Sequence, residues 1–425
     1  MDTIFAVSSG RPPAAIAVVR VSGAAASAAG LALAGALPTP RRASMRALRA
    51  VDGVLLDHAL LLWFPGPATA TGEDLLELHL HGGRAVVDAV EQSLGALPGL
   101  RAAEPGEFTR RALTNGRIDL AQAQGLADLL EAETEDQRRA AISAADGVLS
   151  RSVHGWLDTL SGIAAQVEAT LDFSDEDDVA TPDLSSLDTA TRAWIAEVAA
   201  LLDQPSVERL REGARIVLAG PPNAGKSSLF NALLDREAAI VTPIAGTTRD
   251  LIEATVVRGG QVYTLVDTAG LADYTDDPVE RIGIDRAHRA TLSADLILWL
   301  DDQPPPDRPA LALHARADVP GRETVSADRQ PVSIAHPASV AALWEAIAAK
   351  VGTIYIAPGA MILARSQRDA IETALTALRL DGFADDLLIR AEGLRRASHA
   401  LAQLLGTNAT EAMLDALFGR FCIGK

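Results

Sequence analysis

Gly220-Pro221-Pro222-Asn223-Ala224-Gly225-Lys226-Ser227-Ser228 decides how this chain is read. The stretch fits G-x-x-x-x-G-K-[ST], the phosphate-binding loop. Ala214-Arg215-Ile216-Val217-Leu218-Ala219 runs into the first glycine as a buried strand does. Ser228-Leu229-Phe230-Asn231-Ala232-Leu233-Leu234 continues as a helix. The chemistry needs this order. Gly225 lets the backbone approach phosphates, and the N–H groups of the loop and of the helix N-terminus cradle the anion. Asn223, Ala224, Gly225, Lys226, Ser227 and Ser228 are therefore the candidate nucleotide-binding residues. Lys226 reaches the β- and γ-phosphates, and the Ser227 hydroxyl ligates Mg²⁺. The bland alternative, a chance glycine turn before a helix, gives way because partner motifs follow in the right order.

Gly246-Thr247-Thr248-Arg249-Asp250 stands where a switch I loop belongs, with Thr248 as second Mg²⁺ ligand. Val262-Tyr263-Thr264-Leu265-Val266 is a strand that delivers Asp267-Thr268-Ala269-Gly270. Asp267 would hold a Mg²⁺-bound water, and the Gly270 N–H would meet the γ-phosphate. Together these motifs read as a GTPase domain of the translation-factor type. Leu271 follows, where a Ras-like enzyme carries a water-orienting Gln, so another group must position the water. The Asn223 amide can help bind a monovalent cation beside the phosphates, or it can simply brace the loop.

Guanine is ordinarily read by Asn-Lys-x-Asp after a strand. This chain has Ala315-Arg316-Ala317-Asp318, preceded by Leu311-Ala312-Leu313-His314. Asp318 can accept from the guanine N1–H and 2-amino groups, and the stem of Arg316 can cover the base. Ala315 supplies no side-chain amide, and a missing buried hydrogen bond costs about 1–3 kcal/mol. Guanine preference should survive with weaker affinity. A later base-contacting loop falls on Val332-Ser333-Ile334-Ala335 and is weakly marked.

The length of 425 residues suggests two or three domains, and a 48% hydrophobic content supplies their cores. No apolar run is long enough to span a bilayer, and Met1-Asp2-Thr3 does not begin a signal peptide. A single cysteine excludes an internal disulfide framework and fits a reducing cytoplasm. The formal net charge of -18 argues against broad RNA or membrane binding, so any RNA must be met by a local basic patch or a partner. The only lysines are Lys226, Lys350 and Lys425. Residues 1 to 117 mix short strands, such as Ala15–Val21, Ala59–Phe64 and Leu76–His81, with helices. His79 and His81 share a strand face and read as structural. From residue 118 to 212 the pattern is helical, with Leu120, Ala123, Gln124, Ala127 and Leu130 at helix spacing, and it turns helical again from Ile362 to Phe418.

The motifs together resemble the bacterial tRNA-modification GTPase family MnmE, also called TrmE. Pro222–Leu229, Ile244–Asp250, Asp267–Leu271 and Val279-Glu280-Arg281-Ile282-Gly283 match it in the GTPase segment. Asp2-Thr3-Ile4, Val18–Gly23, Trp63–Pro67, Gly72–Glu77, His81-Gly82-Gly83 and Pro105–Thr109 match near the N-terminus, and Phe421-Cys422-Ile423-Gly424-Lys425 at the C-terminus. The resemblance implies a multidomain α/β and α protein. Its parts would be an N-terminal α+β folate-binding-like domain over 1–117, a discontinuous helical domain over 118–212 and 353–425, and an inserted Ras-like P-loop domain over 213–352. That last domain would be a mostly parallel sheet with flanking helices.

The resemblance further implies a K⁺-stimulated GTPase, with K⁺ held by Asn223, Thr242, Ile244 and Thr247 and the water oriented by Glu280. Gly246 joins the nucleotide contacts. Switch II has one residue more near Tyr274–Pro278 than the family pattern, and a helix-surface role for Glu280 beside Arg281 or Arg286 stays open. A tetrahydrofolate derivative, 5-formyl or methylene, is expected on Arg20, Glu77, Arg117 and Lys425; Lys is usual where this chain has Arg117. Cys422 reads equally as a group in the RNA step or as a buried packing thiol. The implied partners are a second copy in a homodimer, the FAD-dependent MnmG in a heterotetramer, and tRNA whose wobble uridine U34 becomes 5-carboxymethylaminomethylated. A regulatory GTPase of ribosome assembly is the rival reading.

Overall fold

The computed structural model describes residues 2–172, 184–234, 252–268, 290–322, 326–352, 360–407 and 410–424. The chain divides into two compact units. The first holds Met1–Leu130, Ile142–Glu197 and Ala370–Lys425, and the second holds Glu131–Ala141 and Val198–Asp369.

The first unit begins with six strands: β1 Thr3–Val7, β2 Ile16–Ser22, β3 Ser44–Arg49, β4 Leu55–Phe64, β5 Leu75–His81 and β6 Leu100–Ala102. They form one sheet in the order β3-β4-β5-β2-β1-β6, antiparallel except where β6 joins β1. Period-two alternation sorts the side chains. Ala17, Val19 and Val21 of β2 and Leu76, Leu78 and Leu80 of β5 face a core shared with Ala29 and Leu33 of helix Ala26–Ala34 and Val87, Val90 and Leu94 of helix Arg84–Gly95. The opposite parity places Arg20 and Glu77 on the other face, where their Cα atoms pair in register. Phe108 of helix Glu107–Thr114 packs there with Ile4, Ala6 and Leu75.

The Leu120 pattern folds as the helix Leu120–Glu131. Helices Val148–Asp172, Leu184–Ala199 and Leu387–Leu404 complete the helical part, with Leu160, Val167, Leu394 and Leu401 buried. Arg390 is buried at its centre and donates to Asp188 Oδ1 at 2.9 Å. The His pair is structural. His79 Nε2 lies 3.3 Å from Glu77 Oε2, and His81 Nδ1 lies 2.7 Å from Asp57 Oδ1.

The second unit is built on β7 Ala214–Ala219, β8 Ile252–Arg258, β9 Gln261–Asp267, β10 Leu296–Trp299, β11 Ala310–Ala315 and β12 Gln330–Val332. Their order is β12-β11-β10-β7-β9-β8, parallel except for the antiparallel β8 at one edge. Strands covered on both faces read as continuous apolar runs, as in Ile216-Val217-Leu218. Leu229, Phe230 and Leu233 of helix Lys226–Leu233 and Leu343, Trp344 and Ile347 of helix Pro337–Val351 fill the core. Among the described residues no helix is long and apolar enough to cross a membrane.

Candidate functional site

The sheet order reverses at β7, whose two neighbours β9 and β10 lead away in opposite directions. In an open α/β sheet a ligand binds beyond the carboxyl ends of the strands at such a point. Gly220–Ser228 lies there, between β7 and helix Lys226–Leu233. Gly225 caps that helix at φ 97°, a conformation that glycine adopts without cost. The buried Lys226 ammonium donates to the carbonyls of Gly220 and Pro221, each at 2.8 Å. Those bonds hold it over its own loop. Ser227 and Ser228 are exposed in the first helical turn.

Asp267 ends β9 opposite Leu218 in the register, and it is buried. Thr268 Oγ1 donates to Leu218 O at 2.5 Å and ties the two strand ends together. The Ser227 hydroxyl and the Asp267 carboxylate are hard oxygen donors of the kind that Mg²⁺ takes, so the chemistry of the set fits that ion. Thr242, Ile244, Gly246, Thr247, Thr248, Gly270 and Glu280 lie outside the described residues, as does Lys425.

A cavity of about 220 Å³ opens beside the loop, lined by Ala224, Gly225, Arg316, Asp318, Val332 and Ile334 among others. Arg316 Nη2 donates to the Asn223 carbonyl at 2.6 Å. A hydrogen bond from the Ser333 hydroxyl holds the exposed Asp318 carboxyl below the usual carboxylate range. The weakly marked Val332–Ala335 segment therefore forms one wall. Its signal lay in its place after β12 rather than in its residue types.

A second cavity, of about 400 Å³, lies in the first unit. Arg20, Thr71, Phe108, Leu126, Leu130 and Phe421 are among its lining residues. Arg20 Nε donates to Glu77 Oε1 at 2.9 Å across β2 and β5. Arg117 Nε donates to Thr69 O at 3.1 Å, next to Ala70 and Thr71 of the lining. The size suits a drug-sized cofactor, and an apolar wall with few polar groups is what such sites present. Phe421 is a lining residue that sequence reasoning left out of the site; its place in the C-terminal signature was the signal.

The C-terminal segment reaches this region by identifiable contacts. Ile423 bridges Pro105 in antiparallel fashion, and the Ser8 hydroxyl donates to Gly424 O at 2.7 Å. Phe418 and Phe421 are buried with their ring centroids 6.0 Å apart. Cys422 is exposed, which removes the packing-thiol alternative. Nearby, Arg111 is buried and bonds Asp2, Glu73 and Glu107, and so fixes the motif residues Glu73 and Glu107.

Comparison with known proteins follows this geometry. The family model described as GTP-binding protein TrmE N-terminus matches residues 3–117, and that of the MnmE helical domain matches residues 120–422. The protein named tRNA modification GTPase MnmE from Erythrobacter litoralis is 51% identical over 432 residues, covering 100% of both chains. That of Novosphingobium aromaticivorans is 50% identical, again with 100% of both covered. That of Rhizorhabdus wittichii is 52% identical over 100% of this chain and 97% of its own. A partial structural likeness to Era from Aquifex aeolicus has 22% identity, covers 40% of this chain and 67% of the other, and has a TM-score of 0.28. At that score the fold rests on the strand order and the phosphate loop described above. Matched by family models and by relatives along its whole length, the chain belongs to the MnmE family.

Proposed function

We propose that this protein is a GTP hydrolase acting in tRNA modification. The observation that carries the reading is the phosphate loop Gly220–Ser228 at the carboxyl end of β7, in a chain that tRNA modification GTPases match from end to end. Lys226, freed from its two loop carbonyls, would bind the β- and γ-phosphate oxygens. Ser227 with Thr248 would hold Mg²⁺, and Asp267 would hold its water. When bound, the ion neutralises charge developing on the phosphates. Asp318 would accept from the guanine edge. Glu280 would orient the attacking water. Asn223, Thr242, Ile244 and Thr247 would hold K⁺, which would stimulate turnover.

The finer reading extends to the first unit. Arg20, Glu77, Arg117 and Lys425 would bind a tetrahydrofolate derivative that supplies one carbon, and the cavity beside Arg20 supports this by its size and lining. The exposed Cys422 would serve the RNA step. Residues 1–117 would dimerise, 118–212 with 353–425 would form the helical domain, and 213–352 the inserted GTPase domain. The partners would be a second copy and the flavoprotein MnmG, in the cytoplasm, acting on U34. The test is mass spectrometry of tRNA from a strain lacking this gene. Complementation by wild type should restore the modified uridine, and Lys226→Ala should not. Unmodified uridine in both would sink the proposal.

A further inference from the structure

We propose that Arg316 is a positioning residue for the phosphate loop, bracing it from the base side in place of the amide that Ala315 does not supply. This rests on the GTP reading of Gly220–Ser228. The brace is a single peptide gripped at both ends. Its carbonyl, on Asn223, accepts from Arg316 Nη2 at 2.6 Å. Its N–H, on Ala224, donates to Pro221 O at 3.3 Å. A trans peptide points these two groups in opposite directions, so fixing both fixes the plane. Plane orientation is what a loop of backbone donors must control to cradle a phosphate.

Two further observations fit a built contact rather than a wandering surface arginine. Asn223 and Arg316 are both non-glycine residues at positive φ, 63° and 58°. Backbone strain of that kind persists where surrounding contacts over-determine it. The Arg316 Nε also stands 3.7 Å from where a Cβ on Gly225 would be, so the guanidinium lies against the loop. A lysine could cover a base with its stem, but its ammonium is a point donor without this planar fork. Replacing arginine by lysine thus isolates the brace from base covering.

The experiment measures GDP and GTP affinity and GDP release, with a fluorescent nucleotide at fixed Mg²⁺, for wild type, Arg316→Lys, and the double variant Ala315→Asn with Arg316→Lys. The single variant should bind about tenfold more weakly, mainly through faster release. The double variant, in which the asparagine amide takes over the bracing, should return to within about threefold of wild type. Wild-type affinity in Arg316→Lys overturns the proposal and leaves the GTP reading standing. A loss that Ala315→Asn does not repair also overturns it. Failure of the wild-type chain to bind either nucleotide defeats the GTP reading itself, and the brace with it.

Discussion

Gly424→Ala should detach the end of the chain from the N-terminal sheet without unfolding either unit. Gly424 is buried at φ 94°, and a Cβ added there would stand 2.1 Å from the Val7 carbonyl oxygen and 2.8 Å from the Val7 carbonyl carbon. That is more than 1 Å inside ordinary contact, roughly. Both neighbours are backbone of β1, which is locked between β2 and β6, so the tail must move instead. The left-handed backbone adds about 1–2 kcal/mol against alanine. Moving the tail also gives up the bond from Ser8 to Gly424 O, about 0.5–1.5 kcal/mol for a typical hydrogen bond. The docked state should lose about 2–3 kcal/mol, or roughly 30- to 150-fold in its equilibrium. Buried Phe418 and Phe421 hold the preceding residues, so the change stays local to Cys422 and beyond.

If the cavity beside Arg20 is the folate site, an undocked tail should weaken 5-formyltetrahydrofolate binding by tenfold or so and depress tRNA modification. GTP turnover should be untouched. Ile423→Ala is the control, because that side chain is more than half exposed and the Pro105 bridge uses only backbone. Calorimetric folate titration, wobble-uridine mass spectrometry and phosphate release read the three effects. Unchanged folate affinity and modification in Gly424→Ala would refute the reasoning.

Three further outcomes are expected. Asp318→Asn should move preference from guanosine to xanthosine nucleotides, since an amide donates where the carboxylate accepts; competition binding with both checks it, and retained guanosine preference would place the base elsewhere. GTP hydrolysis should be faster in K⁺ than in Na⁺ at equal ionic strength, and equal rates would remove the monovalent cation from the mechanism. Acid stability should depend on Glu107: burial pushes its carboxyl up, but Arg101, the Glu104 N–H and Arg111 together bring it below the usual range. With the folded pKa depressed, its stabilisation is full above the unfolded value of about 4.3 and is lost as pH falls through the folded value. Glu107→Gln should therefore flatten the fall in urea midpoint below about pH 4, and curves of wild-type slope would count against the network.

Local features of this chain could be read from its sequence because their physics is local. The phosphate loop, its strand and its helix are contiguous, and the strands at Leu76–His81 and Ala59–Phe64 announce themselves by alternation. The register of those strands is another matter. Arg20 and Glu77 stand out separately as family positions, yet their ion pair exists because β2 and β5 align Arg20 with Glu77. One residue of slip would send both side chains to the opposite face. The contact from Ser8 to Gly424 spans 416 residues, and no period or propensity encodes a pairing at that distance.

The guanine-reading loop shows a further limit. A motif is a statement about side chains at fixed places, and Ala315 breaks it. The requirement behind the motif is that the base loop and the phosphate loop hold each other. Arg316 meets that requirement by a different atom on a different residue, reaching the backbone of Asn223 rather than presenting an amide. Backbone acceptors are invisible to residue-type patterns, because every residue carries one. A departure from a motif therefore signals lost function only when no neighbouring side chain can reach the same backbone group. Here one does, and it lies one position further along the chain.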